Sequence, residues 1–393
     1  MTQRSIYTEL EKHLPNRLVT VITGMRRVGK TTALKHLLSL VRHNNKIHLD
    51  LERIEYRHLF QQQNYADIER SLLAEGIDLK KKSVIAIDEI QLVPAITSVI
   101  KHLYDNYPVK FIVTGSSSFY IKNRFSESLA GRKRIFEMMP LDFYEFLIFR
   151  GETVKKLEQF AFEKINASFF NRYKEHYHDF VTYGGFPEVA KSENTRDRLE
   201  YLKDIINAYI ELDIKLMSDF EAVDELYKLI RLLASRAGNK VDFTKLSGIS
   251  GIHRKRIKEY LIFLEHTYFI RLISPFTKNI DREIAQQQKL YFTDSGILTV
   301  LGHHSTGALF ENSIANQLAH HGKLNYYSLK TGNEIDFIID GKIAIEVKES
   351  PSPSDLAYLK RIASSLSIKK QILVGKNFHN PKFSDFVWGG SIF

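Results

Sequence analysis

Between Arg17 and Val41 the chain reads RLVTVITGMRRVGKTTALKHLLSLV, and no other stretch limits its fold so tightly. A short apolar run, LVTVI, leads into Gly24, four residues, Gly29-Lys30-Thr31 and then a helical pattern. This G-x-x-x-x-G-K-[ST] spacing, set between a strand and a helix, is that of a phosphate-binding loop. Glycines let backbone N–H groups turn toward phosphate oxygens, and the helix N-terminus adds a favourable dipole. Gly24, Val28, Gly29, Lys30, Thr31 and Thr32 are the expected cradle, with Lys30 on the β- and γ-phosphates and the Thr31 hydroxyl on Mg²⁺.

Such a loop needs acids nearby, and SVIAIDEIQ (83–91) supplies them. An apolar strand there ends in Asp88 and Glu89, at the strand end where open α/β sheets bind ligands. Asp88 is the expected Mg²⁺ partner and Glu89 the group that polarises attacking water. A third apolar strand, VKFIVTGSSS (109–118), ends in small hydroxyl residues; Ser116 or Thr114 suits a γ-phosphate sensor, and a plain strand-to-turn reading stands beside it. KIHLDLE (46–52) adds another strand. The expectation is a parallel sheet with helices on both faces.

At 393 residues there is room for two or three domains. No apolar run approaches bilayer length, the opening residues lack a secretory apolar core, and cysteine is absent. A cytoplasmic protein without disulfides, thiolate zinc or a cysteine nucleophile is expected. The net charge is +10, and from Arg231 onward 22 Lys and Arg stand against 14 Asp and Glu. A basic second half fits nucleic-acid binding, and fits a solvated basic surface equally well.

DFTKLSGISGIHRKRIKEYLIFLEHTYFIRLISPF (242–276) reads as a short helix, a glycine turn, a longer helix and then strand residues, the order of a winged helix-turn-helix. Ile257, Leu261 and Leu264 recur at helical spacing and face inward. Arg254, Lys255, Arg256 and Lys258 crowd the start of that helix, where DNA phosphates would be met. Winged helices also act as lids or as protein-docking modules, and that alternative stays open.

The last segment reads helix (308–322), three short strands ending in EIDFIID and KIAIEVK, a helix and a fourth strand. This is the order of the restriction-endonuclease core. By strand period Glu346 and Lys348 share a face, and Asp336 on the neighbouring strand converges with them. Asp336, Glu346 and the preceding Glu311 form a candidate Mg²⁺ or Mn²⁺ site, with Lys348 orienting water and stabilising phosphate charge. An ordinary alternating charged strand is the plainer reading.

TGMRRVGKTT, AIDEIQLVP, VTGSSSF, SLAGRKRIFEMMPLDFYEFL and TYGGFPEV follow one another in this order. Together they resemble a prokaryotic AAA+-type P-loop ATPase family whose C-terminal domain, of unknown function, resembles PD-(D/E)XK restriction endonucleases. The resemblance implies an α/β chain: an ASCE/AAA+-type ATPase core (1–150), a helical lid or linker (151–225), a winged helix-turn-helix (226–290) and a restriction-endonuclease-like domain (291–393). It also implies that Arg132, in AGR, is an arginine finger or phosphate sensor acting in its own chain or on a second copy; a surface cation is the alternative. YIELDI (209–214) departs from the family, with Leu212 where an arginine usually precedes the aspartate. The resulting expectation is an ATP- and Mg²⁺-using ATPase that acts on DNA and carries a nuclease-like domain. The alternative is an ATP-controlled switch that binds a protein partner.

Overall fold

A computed structural model describes residues 2–62, 64–115, 129–154, 167–214, 220–277, 281, 286–329, 332–377 and 383–392, without the side chains of 212–214 and 220–222. The chain forms two compact units: Met1–Met139 with His266–Tyr268, and Pro140–Glu265 with Phe269–Phe393.

Unit 1 is built on five strands: β1 (Val19–Thr23), β2 (Lys46–Asp50), β3 (Ser83–Asp88), β4 (Val109–Gly115) and β5 (Lys133–Glu137). Their order is β2-β3-β4-β1-β5, and every pairing is parallel. Helices Lys30–Leu40 and Ile96–Asn106 are among those linking them, so β1, β3 and β4 are buried along their whole length. That double burial explains their unbroken apolar runs. β4 separates the loop-bearing β1 from the acid-bearing β3, which brings the ends of all three strands together.

His13 lies beneath this sheet, 4% exposed, with Nδ1 2.9 Å from Thr20 Oγ1 and its ring against Phe136. Burial, with Lys110 and Arg134 nearby, lowers its pKa to about 4. The unfolded chain therefore takes up this proton first, and stability is lost as pH falls from about 6.5 through 4, roughly 3 kcal/mol in all. Urea midpoints measured at pH 7 and pH 5 are expected to differ, and His13→Gln to narrow the gap.

Unit 2 carries a seven-stranded sheet from β6 (Ile270–Pro275), β7 (Lys289–Phe292), β8 (Leu324–Ser328), β9 (Glu334–Ile339), β10 (Ile343–Lys348), β11 (Lys370–Gly375) and β12 (Val387–Trp388). The order is β12-β11-β10-β9-β8-β6-β7. β8, β9 and β10 run antiparallel in succession, β11 lies parallel to β10, and helices Thr306–Leu318 and Pro353–Ser365 fall where the helix–strand–strand–strand–helix–strand expectation puts them. The β6–β7 hairpin follows helices Phe220–Ala234, Phe243–Ser250 and Arg254–His266. β6 also pairs with β8, so the sheet is continuous from β7 to β12.

TYGGFPEV and YFTDSGIL meet at one carboxylate. Asp294, 3% exposed, accepts from Gly185 N at 2.7 Å and from Gly296 N at 2.8 Å, the second bond capping helix Ser295–Leu301. A Cβ on Gly184 (φ +77°) would fall 1.9 Å from Asp294 Oδ1, so glycine is required there. Trp388, 1% exposed, packs edge-on to Phe143, Phe170 and Tyr177. Among the described residues no helix is long and apolar enough to cross a membrane.

Candidate functional sites

In unit 1 the loop closes tightly over β1. Gly24 adopts φ +146°, and a Cβ there would lie 2.0 Å from Met138 O. The same segment is tied to β1 by a bond from Met138 N to Thr23 O (2.7 Å), so the first glycine is fixed by backbone contact. Gly29, at φ 100°, caps helix Lys30–Leu40 in the left-handed region. Lys30 is buried, its ammonium donating to Gly24 O (3.0 Å) and Met25 O (2.8 Å) at the centre of the loop. Val28 is fully buried, and Thr32 is exposed on the first helical turn. Arg4, which the motif does not include, supports the loop by donating to Val28 O (3.0 Å) and Met139 O (2.9 Å).

Asp88 ends β3 at 2% exposure. Burial pushes its pKa upward, and nearby His48 (Nε2 3.9 Å away), the hydroxyl of Thr114 and neighbouring Thr31 outweigh burial, so the group sits below the usual carboxylate range. Thr31 lies near enough to Asp88 to hold its pKa down, and this pair of hard oxygen donors fits a single Mg²⁺. Thr114 connects the acids: its hydroxyl donates to Asp88 and accepts from Glu89 N (3.2 Å). Glu89 is half-buried with φ 55°, and its carboxylate accepts from Gln91. Ser116 lies outside the described residues.

Arg132 stands at the other end of the sheet. Its carbonyl accepts from Val19 N (2.8 Å), at the start of five-residue β1, whereas the phosphate loop leaves the end of that strand. The separation is ~16 Å. The guanidinium pairs with Asp105 through bonds of 2.8 and 3.2 Å. Action of Arg132 on its own chain's phosphate loop is thereby corrected, since the side chain is too short to cover the length of β1.

In unit 2 the register Ile345↔Phe337, continued by one residue, sets Asp336 opposite Glu346. Asp336 accepts from Val347 N (2.9 Å), and Lys348 pairs with Glu346 Oε1 (2.7 Å). Glu311, on helix Thr306–Leu318, accepts from the Tyr291 hydroxyl (2.8 Å). Burial, then the charge of Asp336, raises Glu311 and Glu346 each to about 7; burial raises Asp336 also. Two further members escaped the sequence pattern. Lys289, 4% exposed, pairs with Glu334, and burial, which lowers its pKa, is outweighed by Asp336, Glu311 and Glu334. Glu346 Oε2 is buried with no hydrogen-bond partner among the described residues.

The expected acids and lysine therefore share one electrostatic pocket. Among the described residues, however, no three His, Cys, Asp or Glu side chains stand close enough to share one metal ion. The arrangement does not fit the expected three-acid Mg²⁺ or Mn²⁺ site, because Tyr291 and the Lys289–Glu334 pair hold carboxylates in a mixed-charge network.

Of the four expected DNA-contacting cations, two have side-chain neighbours on the surface of the helical layer, Arg256 half-buried and Lys258 exposed. Arg256 pairs with Glu225 (3.0 Å), and the Lys258 ammonium lies 5.4 Å over the Phe243 ring. Arg254 and Lys255 are exposed. Ile257, Leu261 and Leu264 are buried as their spacing required.

Comparison with known proteins agrees with the loop geometry. Residues 16–147 match a family described as "AAA domain", residues 174–307 a domain of unknown function, DUF8612, and residues 306–391 another, DUF4143. With its loop, acids and strand order, unit 1 holds an AAA-type P-loop ATPase domain. The chain is 26% identical to uncharacterized protein MJ1544 of Methanocaldococcus jannaschii, across 89% of this chain and 80% of that protein. It is 22% identical to uncharacterized protein Rv2008c of Mycobacterium tuberculosis, across 98% and 82%. Among solved structures, the Walker-type ATPase PABY2304 of Pyrococcus abyssi superposes with TM-score 0.49 at 17% identity, covering 77% of this chain and 96% of that one.

Proposed function

We propose that the chain is a DNA-acting ATPase in which hydrolysis in unit 1 drives a conformational cycle and unit 2 grips DNA. The reading rests on one observation above others: Asp88, Thr114 and Glu89 form a hydrogen-bonded set, with Thr31 of the Lys30 loop close to Asp88. In this proposal Gly24, Val28, Gly29 and Thr32 line the triphosphate, and Lys30 moves its ammonium from loop carbonyls to phosphate oxygens. Mg²⁺, held by Thr31 and Asp88, would neutralise charge on the β- and γ-phosphates. Thr114 fixes Asp88 and the Glu89 backbone together, and the Glu89 carboxylate takes the proton of the attacking water. Arg132 acts, if on phosphate, across a boundary between two copies.

For unit 2 we infer a winged helix-turn-helix joined to a restriction-endonuclease-like core. The basic excess after Arg231 and the αβββαβ order support this. The Asp336–Glu346–Lys348 cluster, with Glu311, would face the DNA backbone. The pairing of Arg256 with Glu225 and the seating of Lys258 over Phe243, which leave Arg254 and Lys255 as the cations without such neighbours among the described residues, favour a second reading, an ATP-controlled switch that binds a protein.

Steady-state ATP turnover with Mg²⁺, measured without DNA and with single-stranded, duplex and branched DNA against a Lys30→Ala blank, separates the two. Stimulation by one DNA form is expected. Turnover indifferent to every form would transfer the assignment to the protein-directed switch.

A further inference from the structure

The turn between helices Phe220–Ala234 and Phe243–Ser250 does more than connect them. Gly238 N donates to Leu290 O (2.7 Å), Leu290 N to Asn239 O (3.1 Å) and Val241 N to Gln288 O (2.8 Å), and an antiparallel bridge joins Lys240 to Lys289. The turn is thus sewn to β7 as a short extra ladder, and between it and the start of β9 lies a cavity of about 670 Å³.

The charged lining of this cavity is Arg236, Lys240, Lys245 and Lys289 against Asp242 and Glu334. Both acids are already engaged. Asp242 caps its helix by accepting from Thr244 N (2.9 Å) and Lys245 N (3.0 Å), and Glu334 pairs with Lys289. Lys240 donates to Ser328 Oγ (2.6 Å) and lies 5.6 Å over the Tyr326 ring, leaving it cationic. Arg236 and Lys245 have no ion-pair partner among the described residues. The inner end meets the acid cluster, since a Cβ on Gly238 would sit 3.3 Å from Glu311 Oε1 and Lys289 feels Asp336 and Glu311.

A concave polar site whose uncompensated cations come from a turn and a helix's first turn suits a polyanion with repeated charges better than one small anion. Lysine and arginine placed this way hold the sugar-phosphate backbone without reading bases. We propose that this cavity is the DNA-backbone channel of unit 2, with Arg236, Lys240 and Lys245 on successive phosphates and the strand led toward Glu311, Asp336 and Glu346. The channel rests on the DNA reading above and moves the main contact from the Arg254–His266 helix to the 236–245 turn.

The test is fluorescence anisotropy of a labelled DNA duplex titrated with the full chain over a range of salt. Removing one cation from a phosphate lowers the slope of log K against log salt by about 0.9. Lys240→Gln/Lys245→Gln is expected to lower it by about 2, and Arg236→Gln, which touches no helix cap, by about 1. Arg254→Gln/Lys255→Gln should change it less, and matching thermal melts establish that each variant is folded. Wild-type binding with unchanged slopes in both cavity variants would overturn the channel alone. A wild-type chain that binds no duplex, single-stranded or branched DNA would overturn the DNA reading, and the channel with it.

Discussion

Glu89→Gln is expected to lower ATP turnover by about 10²- to 10⁴-fold while ATP binding persists. Asp88 is buried, accepts from Thr114 and lies close to Thr31 and His48, whereas Glu89 stands half-buried at the mouth of the strand. Glutamine keeps the shape and the contact with Gln91, and removes only the ability to accept water's proton. Phosphate release and equilibrium ATP binding, measured on the same preparation, check the expectation. Turnover within tenfold of wild type would assign the base to another acid. Glu52 would be the first to test, since burial, Glu89 and Asp50 raise its pKa.

Asp294→Ala is expected to cost unit 2 about 3–5 kcal/mol. The carboxylate satisfies buried N–H groups of Gly185 and Gly296, and each orphaned donor costs roughly 1–3 kcal/mol beyond the bonds themselves. Burial raises this pKa to about 6 against the bonds from Gly185, Gly296 and Ile297. Its stabilising contribution is therefore complete at low pH and declines as pH rises through about 6. The alanine penalty should be about 1 kcal/mol larger at pH 5 than at pH 8, read from urea midpoints at the two values. A variant unfolding with the wild type at both pH values would remove Asp294 from its structural role.

What the sequence disclosed follows from how locally each feature is written. The loop is contiguous, and its partner acids close an apolar run, so Lys30, Thr31, Asp88 and Glu89 could be read directly. The faces of β9 and β10 follow from a period of two, and Asp336 does fall beside Glu346. Lys289 could not be read this way, because its partner Glu334 is 45 positions on and is reached past Tyr326 of an intervening strand. His48 is a similar case, one histidine in a half-buried strand whose neighbour Asp88 is set by sheet order. For Arg132 the alternatives stay open in the sequence for the opposite reason. A motif beside an arginine does not say which end of a strand it occupies, and parallel pairing with β1 puts it at the far one.

The seat of Trp388 carries a consequence for synthesis. β12 is the edge partner of β11, Trp388 fills the cluster of Phe143, Phe170 and Tyr177, and Gln317 Nε2 donates to Gly389 O and Ile392 O. Segments from both flanks of unit 2 are thus held by residues 387–392. Apart from His266–Tyr268, unit 1 is contiguous and can assemble while the ribosome is still working. Unit 2 has to wait for its final strand to clear the exit tunnel, with Phe143, Phe170 and Tyr177 uncovered in the interval and open to chaperones.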